Sequence, residues 1–184
     1  MHDFKFNMET NLSNYVKSDS TIKRYPNISD QEAELINWDI FGDICISYDN
    51  IILTSAIDST SDCINEYIWQ FITSLHMQIP KLLKGDEVEQ TFFDNPDTLV
   101  FVPEGKQIKI IFKCGCKNHR PWQELKVPIL EVFSALLRVT KQLTDQLLFL
   151  NPELEKSREV IALIESHNKT KNLLIKHGYN ISSV

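Results

Sequence analysis

Residues 98–114, TLVFVPEGKQIKIIFKC, decide what kind of fold this chain can form. Two runs with strand-like alternation flank Pro103-Glu104-Gly105-Lys106, a set of residues typical of a tight turn. In the second run, Ile108, Ile110 and Phe112 fall on one face, with lysines among the residues between them. This pattern predicts an antiparallel hairpin that buries one face against a core.

The same period of two occurs earlier in the chain. Residues 39–47 and 51–57 predict a first hairpin, with Ile40, Ile44 and Ile46 at even positions. The first 35 residues are more polar. There, Ser29 to Glu32 has the Ser-x-x-Glu pattern of a capping box, which predicts a short helix beginning near Asp30.

Between the two hairpins the apolar spacing becomes helical. Residues 58–84 predict one long helix, and acidic residues at its amino end, including Glu66, suit the helix dipole. Pro80 should kink or restart this helix because it lacks a backbone donor, and Gly85 should close it.

The last third of the chain predicts a short strand and two helices. Glu124 to Val127 is a candidate fifth strand. A leucine-rich helix begins at Pro128 and ends at Asn151-Pro152, and a more polar helix covers residues 153–177.

This order of elements predicts an α+β fold. We expect an antiparallel β-sheet of about four to five strands packed against long α-helices on one face. A length of 184 residues predicts a single domain over 1–184. Its ends would be a polar N-terminal segment, 1–35, and a C-terminal helix and tail, 153–184.

Charge and targeting signals restrict the possible functions. The formal net charge is −6, the opposite of what a phosphate-neutralising nucleic-acid binder normally carries. Neither a secretory signal nor an apolar run of membrane-spanning length is recognisable, so we expect a cytoplasmic protein. The four cysteines, Cys45, Cys63, Cys114 and Cys116, would then be reduced.

The densest group of potential ligands is Cys114-x-Cys116-x-x-His119. Structural zinc needs four ligands, usually in two knuckles with two to four residues between paired cysteines. This segment has one intervening residue and no second knuckle. We interpret it as the end of a strand, with metal binding and redox chemistry as alternatives, and we expect no metal and no cofactor.

Signatures of catalysis are missing from the sequence. It contains no phosphate-binding glycine loop, no Gly-x-Ser-x-Gly elbow and no His-Glu-x-x-His helix. His76, His167 and His177 lie in or near predicted helices, where a surface or capping role is ordinary. We therefore predict no catalytic residue and expect that the protein is not an enzyme.

Four stretches between Trp38 and the end of the leucine-rich helix resemble one class of protein. They are WDIFGDICIS, SLHMQIPKLLKGDEVEQTFFDNP, LVFVPEGKQIKIIFKC and VPILEVFSALLRVTKQLTDQLLFLNPEL. In these stretches the chain resembles bacterial immunity proteins encoded beside polymorphic toxins or contact-dependent growth inhibition (CDI) toxins. The resemblance consists of fold signatures rather than catalytic motifs.

The resemblance implies a function in protein binding. The chain would bind a cognate toxin domain, expected to be a basic nuclease, and block its active-site cleft without contacting nucleic acid or membrane. The acidic segment between the first helix and the second hairpin supplies the predicted contacts: Asp86, Glu87, Glu89, Asp94 and Asp97.

Two alternatives remain open at this point. One is an enzyme or small-molecule-binding domain with His76, His119 or Cys116 in a pocket between sheet and helices. The other is a regulatory module that dimerises through the leucine-rich helix.

Overall fold

The computed structural model describes residues 6–12, 40–49, 51–54, 63–93, 96–113, 115 and 123–181. They form eight strands and three α-helices. The strands are β1 (Phe6–Leu12), β2 (Phe41–Tyr48), β3 (Ile51–Ile52), β4 (Ile64–Tyr67), β5 (Val88–Thr91), β6 (Thr98–Glu104), β7 (Gln107–Lys113) and β8 (Gln123–Pro128). The helices are α1 (Ile68–Leu82), α2 (Ile129–Leu150) and α3 (Arg158–Lys176), and a 3₁₀ helix, Pro152–Lys156, joins the last two.

The predicted second hairpin is confirmed and forms the centre of a four-stranded antiparallel sheet in the order β5-β6-β7-β8. Glu104 pairs with Gln107 across a two-residue loop in which Gly105 has a φ of 67°. Such a positive φ costs glycine nothing, because it has no Cβ. The predicted strand at Glu124 to Val127 is also confirmed as part of β8, which pairs with β7.

The first sheet contains a strand that the sequence analysis missed. Phe6, Met8 and Leu12 of β1 point into the core, and β1 pairs with β2 from end to end. Two side chains of α2 form hydrogen bonds to the first residue of this strand. Phe6 donates its N–H to Glu131 Oε2 at 2.9 Å, and Arg138 donates to the Phe6 carbonyl at 3.3 Å. The helix predicted near Asp30 lies outside the described residues.

The prediction of one helix over 58–84 is wrong in its first part. Residues 64–67 form β4, which pairs with β2, and α1 begins only at Ile68. The strand alternates strictly: Ile64 and Glu66 are buried while Asn65 is exposed. Pro80 does not break α1, because it lies in the last turn, and Gly85 closes the helix with a φ of 89°.

Two of the cysteines are bonded to each other. Cys45 on β2 and Cys63, next to β4, form a disulfide with their Cα atoms 4.4 Å apart. The register that pairs Ile44 with Ile64 places these two cysteines directly opposite each other. The expectation that all four cysteines are reduced is therefore wrong for this pair, whose geometry depends on a strand that local sequence did not reveal.

The three helices form a layer in which α2 is the most buried. Eight of the nine residues from 132 to 140 are buried, including Phe133 and Leu137. The predicted helix over 153–177 is interrupted at Ser157, whose side chain accepts the N–H of Val160 at 3.2 Å and so caps α3. α3 packs against both α1 and α2.

No helix in the described ranges has the length and apolarity needed to cross a membrane.

The predicted α+β class is confirmed, with one refinement. The strands are divided between two four-stranded sheets rather than one sheet of four to five strands. A single apolar cluster contains side chains from both sheets and all three helices. The helices and the two sheets therefore share a core.

Candidate functional site: an acidic corner beside strand β5

The acidic segment that follows α1 begins with a turn fixed by backbone hydrogen bonds. Gly85 donates to the Leu82 carbonyl and Asp86 to the Lys81 carbonyl, each at 3.1 Å. These bonds satisfy carbonyls that the end of a helix leaves without partners. Asp86 and Glu87 therefore leave the helix on a rigid backbone, and both side chains are exposed.

Glu89 belongs to a strand, β5, in the segment that the sequence analysis described only as joining the first helix and the second hairpin. Val88 and Gln90 face inward and are buried, so the alternation of the strand directs Glu89 to the outer face of the sheet. Its cross-strand neighbour is Val100 on β6. We call Asp86, Glu87 and Glu89 together the acidic corner.

The carboxylates of the acidic corner have no ion pair within the described residues, whereas four other surface carboxylates each bind a lysine. Glu104 is bound to Lys126 at 2.7 Å, and this hydrogen bond lowers the pKa of Glu104. On the helical surface, Asp145, Glu153 and Glu165 each bind a lysine three or four residues away. Within the described ranges, no lysine, arginine or histidine lies within ion-pair distance of the corner.

Two other predicted contact residues do not belong to this surface. Asp97 is buried, and its Oδ1 accepts the N–H of Gly115 at 2.8 Å, so it has a structural role. The chain also packs closely against Gly115, because a Cβ on this residue would lie 2.4 Å from the carbonyl oxygen of Pro96. Asp94 lies outside the described residues.

The two phenylalanines after β5 have opposite environments. Phe92 is in the core, stacked on Phe71 with ring centroids 4.9 Å apart. Phe93 is 58% exposed, and its N–H donates to Glu66 Oε2 at 2.7 Å. The other carboxylate oxygen of Glu66 accepts the N–H of Tyr67 at 2.6 Å. Glu66, which is completely buried, therefore fixes the backbone that presents the exposed ring of Phe93.

His76, one of the three residues named for the enzyme alternative, is buried between the three helices. Its Nδ1 lies 2.8 Å from Thr170 Oγ1 and its Nε2 lies 2.8 Å from Thr140 Oγ1. Thr140 donates its hydroxyl to the Leu136 carbonyl at 2.6 Å, so it must accept from Nε2–H. Thr170 then donates to Nδ1, and the ring is neutral with both nitrogens occupied.

Burial, with a smaller contribution from His167, lowers the pKa of His76 to about 3. A proton on Nδ1 would require the Thr170 hydroxyl to accept instead of donate and would place a charge in an apolar interior. Sequence reasoning placed His76 in a helix but had no means of finding its two threonine partners, which lie 64 and 94 residues further along the chain.

Within the described residues, no three His, Cys, Asp or Glu side chains are arranged to hold a metal ion. Cys114, Cys116 and His119 lie outside the described residues, so the interpretation of that segment stays a prediction.

The chain matches no family model, and no curated protein or solved structure matches it either.

Proposed function

We propose that the protein is an immunity protein that binds and neutralises a cognate bacterial toxin domain, with the acidic corner as part of its contact surface. The observation that carries this proposal is the set of three exposed carboxylates, Asp86, Glu87 and Glu89, without an ion pair within the described residues. Charges that stabilise no other part of the fold are available to a basic partner.

The physical role of the corner would be to speed and orient the encounter. Clustered charges of one sign attract an oppositely charged protein over about a Debye length, roughly 8 Å at physiological salt. They contribute mainly to the association rate and to specificity. A net charge of −6 for the whole chain acts in the same direction.

Tight binding also requires apolar anchors, and Phe93 fits this role. It follows β5, whereas Asp86 and Glu87 precede it, so the ring and these two carboxylates are separated by a strand of roughly 13 Å. Exposed aromatic side chains on a fixed backbone are frequent hot spots of interfaces. The acidic corner and the ring of Phe93 would together form part of an interface of standard size, about 1,600 Å².

Inhibition would follow from occlusion. Carboxylates of the corner would occupy sites that bind phosphates of RNA or DNA in a nuclease toxin, so the proposal needs no catalytic residue and no cofactor. We place this activity in the cytoplasm, where a nuclease toxin acts on nucleic acid. The proposal therefore requires the Cys45–Cys63 disulfide to persist in a reducing compartment, where structural disulfides are rare.

The proposal is tested with the toxin candidate encoded by the open reading frame adjacent to the gene of this chain. We expect the two proteins, when co-expressed, to co-purify as a one-to-one complex, and cells that make both to survive expression of the candidate. The full-length chain should also abolish nuclease activity of the purified candidate. Growth arrest that the chain does not relieve, together with no complex, would contradict the proposed function.

A further inference from the structure

The outer edge of β5, a terminal strand of its sheet, is defined by the hydrogen bonds that join it to β6. Just after the strand, Phe92 donates its N–H to the Asp97 carbonyl at 3.2 Å, in register with the β5–β6 pairing. Bonded and non-bonded pairs alternate along an antiparallel ladder, so Gln90 directs its N–H and C=O toward β6. Glu89 and Thr91 therefore direct theirs the other way, to the outer edge of the sheet.

Three of these outward backbone groups have no hydrogen-bond partner in the part of the chain that the structure describes. They are the N–H and the C=O of Glu89 and the N–H of Thr91. The Thr91 carbonyl accepts from Gln90 Nε2 at 2.9 Å. Two residues beyond Thr91, the N–H of Phe93 is bound by the Glu66 carboxylate. The open stretch from Glu89 to Thr91, which we call the β5 edge, thus lies between the acidic corner and Phe93.

Other strand edges of the described residues are better protected. At the start of β1, Glu131 and Arg138 of α2 bind the N–H and the carbonyl of Phe6. β8, at the opposite side of the β5 sheet, carries Lys126 and ends in Pro128, and both residue types discourage pairing with a further strand. Of the two edges of this sheet, β5 is therefore the one suited to accept another strand.

We propose that the β5 edge accepts an extended, basic segment of the toxin as a fifth strand of the β5-β6-β7-β8 sheet, an inference that rests on the proposed function. The added strand would accept the N–H groups of Glu89 and Thr91 and donate an N–H to the Glu89 carbonyl. In recognition of this kind, backbone hydrogen bonds supply affinity and the side chains of the strand supply specificity.

Side chains on the exposed face of β5 define the chemistry of that segment. Glu89 and Thr91 point to this face, and Phe93 follows two positions later with its ring 58% exposed. A lysine or arginine beside Glu89 would form a cross-strand pair of opposite charge, and Asp86 and Glu87 add negative charge at the same end. An apolar residue would pack on Phe93. We therefore expect a segment with a basic residue and an apolar residue about four positions apart.

A second copy of this chain is a poorer occupant of the β5 edge. It would bring another Glu89 and a further net charge of −6 to the same short strand, and like charges on adjacent strands repel each other. The leucine-rich α2, which the sequence suggested as a dimerisation helix, is not suited to self-association either, because its residues from 132 to 137 are all buried. The charge of the edge favours a basic partner.

Proline at position 91 tests the pairing in the complex of the full chain with the toxin candidate from the adjacent gene. Thr91→Pro removes an N–H that does not bond to β6, and prolines are tolerated at such outward positions of edge strands. We expect the Kd of the complex to rise at least about tenfold, whereas Thr91→Val, which keeps the N–H, should raise it less than about threefold. Glu124→Pro is the matched control, because the Glu124 N–H points away from β7 at the other edge of the sheet. Thermal unfolding should show all variants folded.

Hydrogen exchange resolved by residue tests the same contact without any substitution. The amides of Glu89 and Thr91 should exchange at least about tenfold more slowly in the complex than in the free chain, because they would then be hydrogen-bonded. The amides of Glu124 and Lys126 on the β8 edge should keep their rates.

The outcomes separate the strand pairing from the proposed function. A complex in which the Glu89 and Thr91 amides stay unprotected, or whose Kd Thr91→Pro does not change, would overturn the pairing and leave the proposed function standing. No complex, together with growth arrest that the chain does not relieve, would overturn both. A dimer of the chain alone that Thr91→Pro dissociates would assign the edge to a second copy and overturn the basic strand as its occupant.

Discussion

Glu66 and Glu89 carry the same side chain on two short strands that flank α1, but they have opposite environments. Glu66 on β4 is completely buried, and its two oxygens accept the N–H groups of Tyr67 and Phe93. Glu89 on β5 is exposed and has no ion pair in the described part of the chain. One carboxylate is needed by the backbone around it, whereas the fold has no evident use for the other.

The difference extends beyond these two residues. Asp97 and His76 resemble Glu66, since each is buried and hydrogen-bonded to a distant part of the chain. Asp86 and Glu87 resemble Glu89. Buried polar groups therefore stabilise the fold, and the acidic corner is free for a partner. The following substitutions should separate these two roles.

The largest effect is expected from Glu66→Ala. Removing this buried carboxylate takes the charged acceptor from two partly buried N–H groups, which should lower the free energy of unfolding by about 3 kcal/mol. Glu89→Ala is the matched control and should change it by no more than about 0.5 kcal/mol. Chemical denaturation measures both, and equal losses in the two variants would remove the contrast between the carboxylates.

Reduction of the Cys45–Cys63 disulfide should have a similar effect, because this bond holds the end of β4 next to β2. The bond closes a loop with a sequence separation of 18, for which chain entropy predicts a loss of about 3 kcal/mol. Denaturation with and without reductant measures this loss, and the double variant Cys45→Ala, Cys63→Ala should not respond to reductant. If thiol titration of the oxidised protein finds both residues free, the bond is absent in solution.

Acid should destabilise the protein through His76. The folded state holds its pKa at about 3, below the ordinary value of 6.5, so the unfolded chain binds a proton that the folded chain does not. The stabilisation is fully present above pH 6.5 and is lost as the pH falls toward 3, by about 1.4 kcal/mol per pH unit. His76→Gln should remove this slope in unfolding measured between pH 7 and pH 4. A slope identical to that of the unsubstituted protein would show that other groups titrate instead.

Removing the charges of the acidic corner should have the smallest effect on stability. The triple variant Asp86→Asn, Glu87→Gln, Glu89→Gln breaks no ion pair in the described residues and should change the free energy of unfolding by less than about 0.5 kcal/mol. Thermal unfolding at low and moderate salt measures this difference. A clear loss of stability would mean that the corner serves the fold.

The parts of the fold that sequence predicted are those determined by neighbours in the chain. The β6–β7 hairpin follows from alternation on both sides of a turn with Gly105, and the end of α1 follows from Gly85. β1 escaped detection because Thr10 interrupts the alternation of Phe6, Met8 and Leu12, and its partner strand lies some 30 residues away. The α+β class was still predicted correctly, because the β6–β7 hairpin, β8 and the long helices were identified from the sequence.

The candidate site was less predictable, because burial decides the role of each acid. Asp97 and Glu89 look equivalent in the sequence, but a hydrogen bond to Gly115, 18 residues later, makes Asp97 structural. Glu66 was placed at the start of a helix, since its burial depends on Phe93, 27 residues away. Cys45 and Cys63 form a disulfide because the register of β2 and β4 places them opposite each other. Each of these roles depends on contacts between distant segments.

The most direct test of the central claim is the association rate of the full chain with the toxin candidate from the adjacent gene, measured against ionic strength. The corner variant Asp86→Asn, Glu87→Gln, Glu89→Gln is compared with Asp145→Asn, Glu153→Gln, Glu155→Gln; each set changes the net charge from −6 to −3, a difference of three charges. We predict that the corner variant binds at least about tenfold more slowly at low salt and depends less on salt, while the other set stays close to the unsubstituted chain. Equal rates for the two sets would contradict the claim that the acidic corner faces the partner.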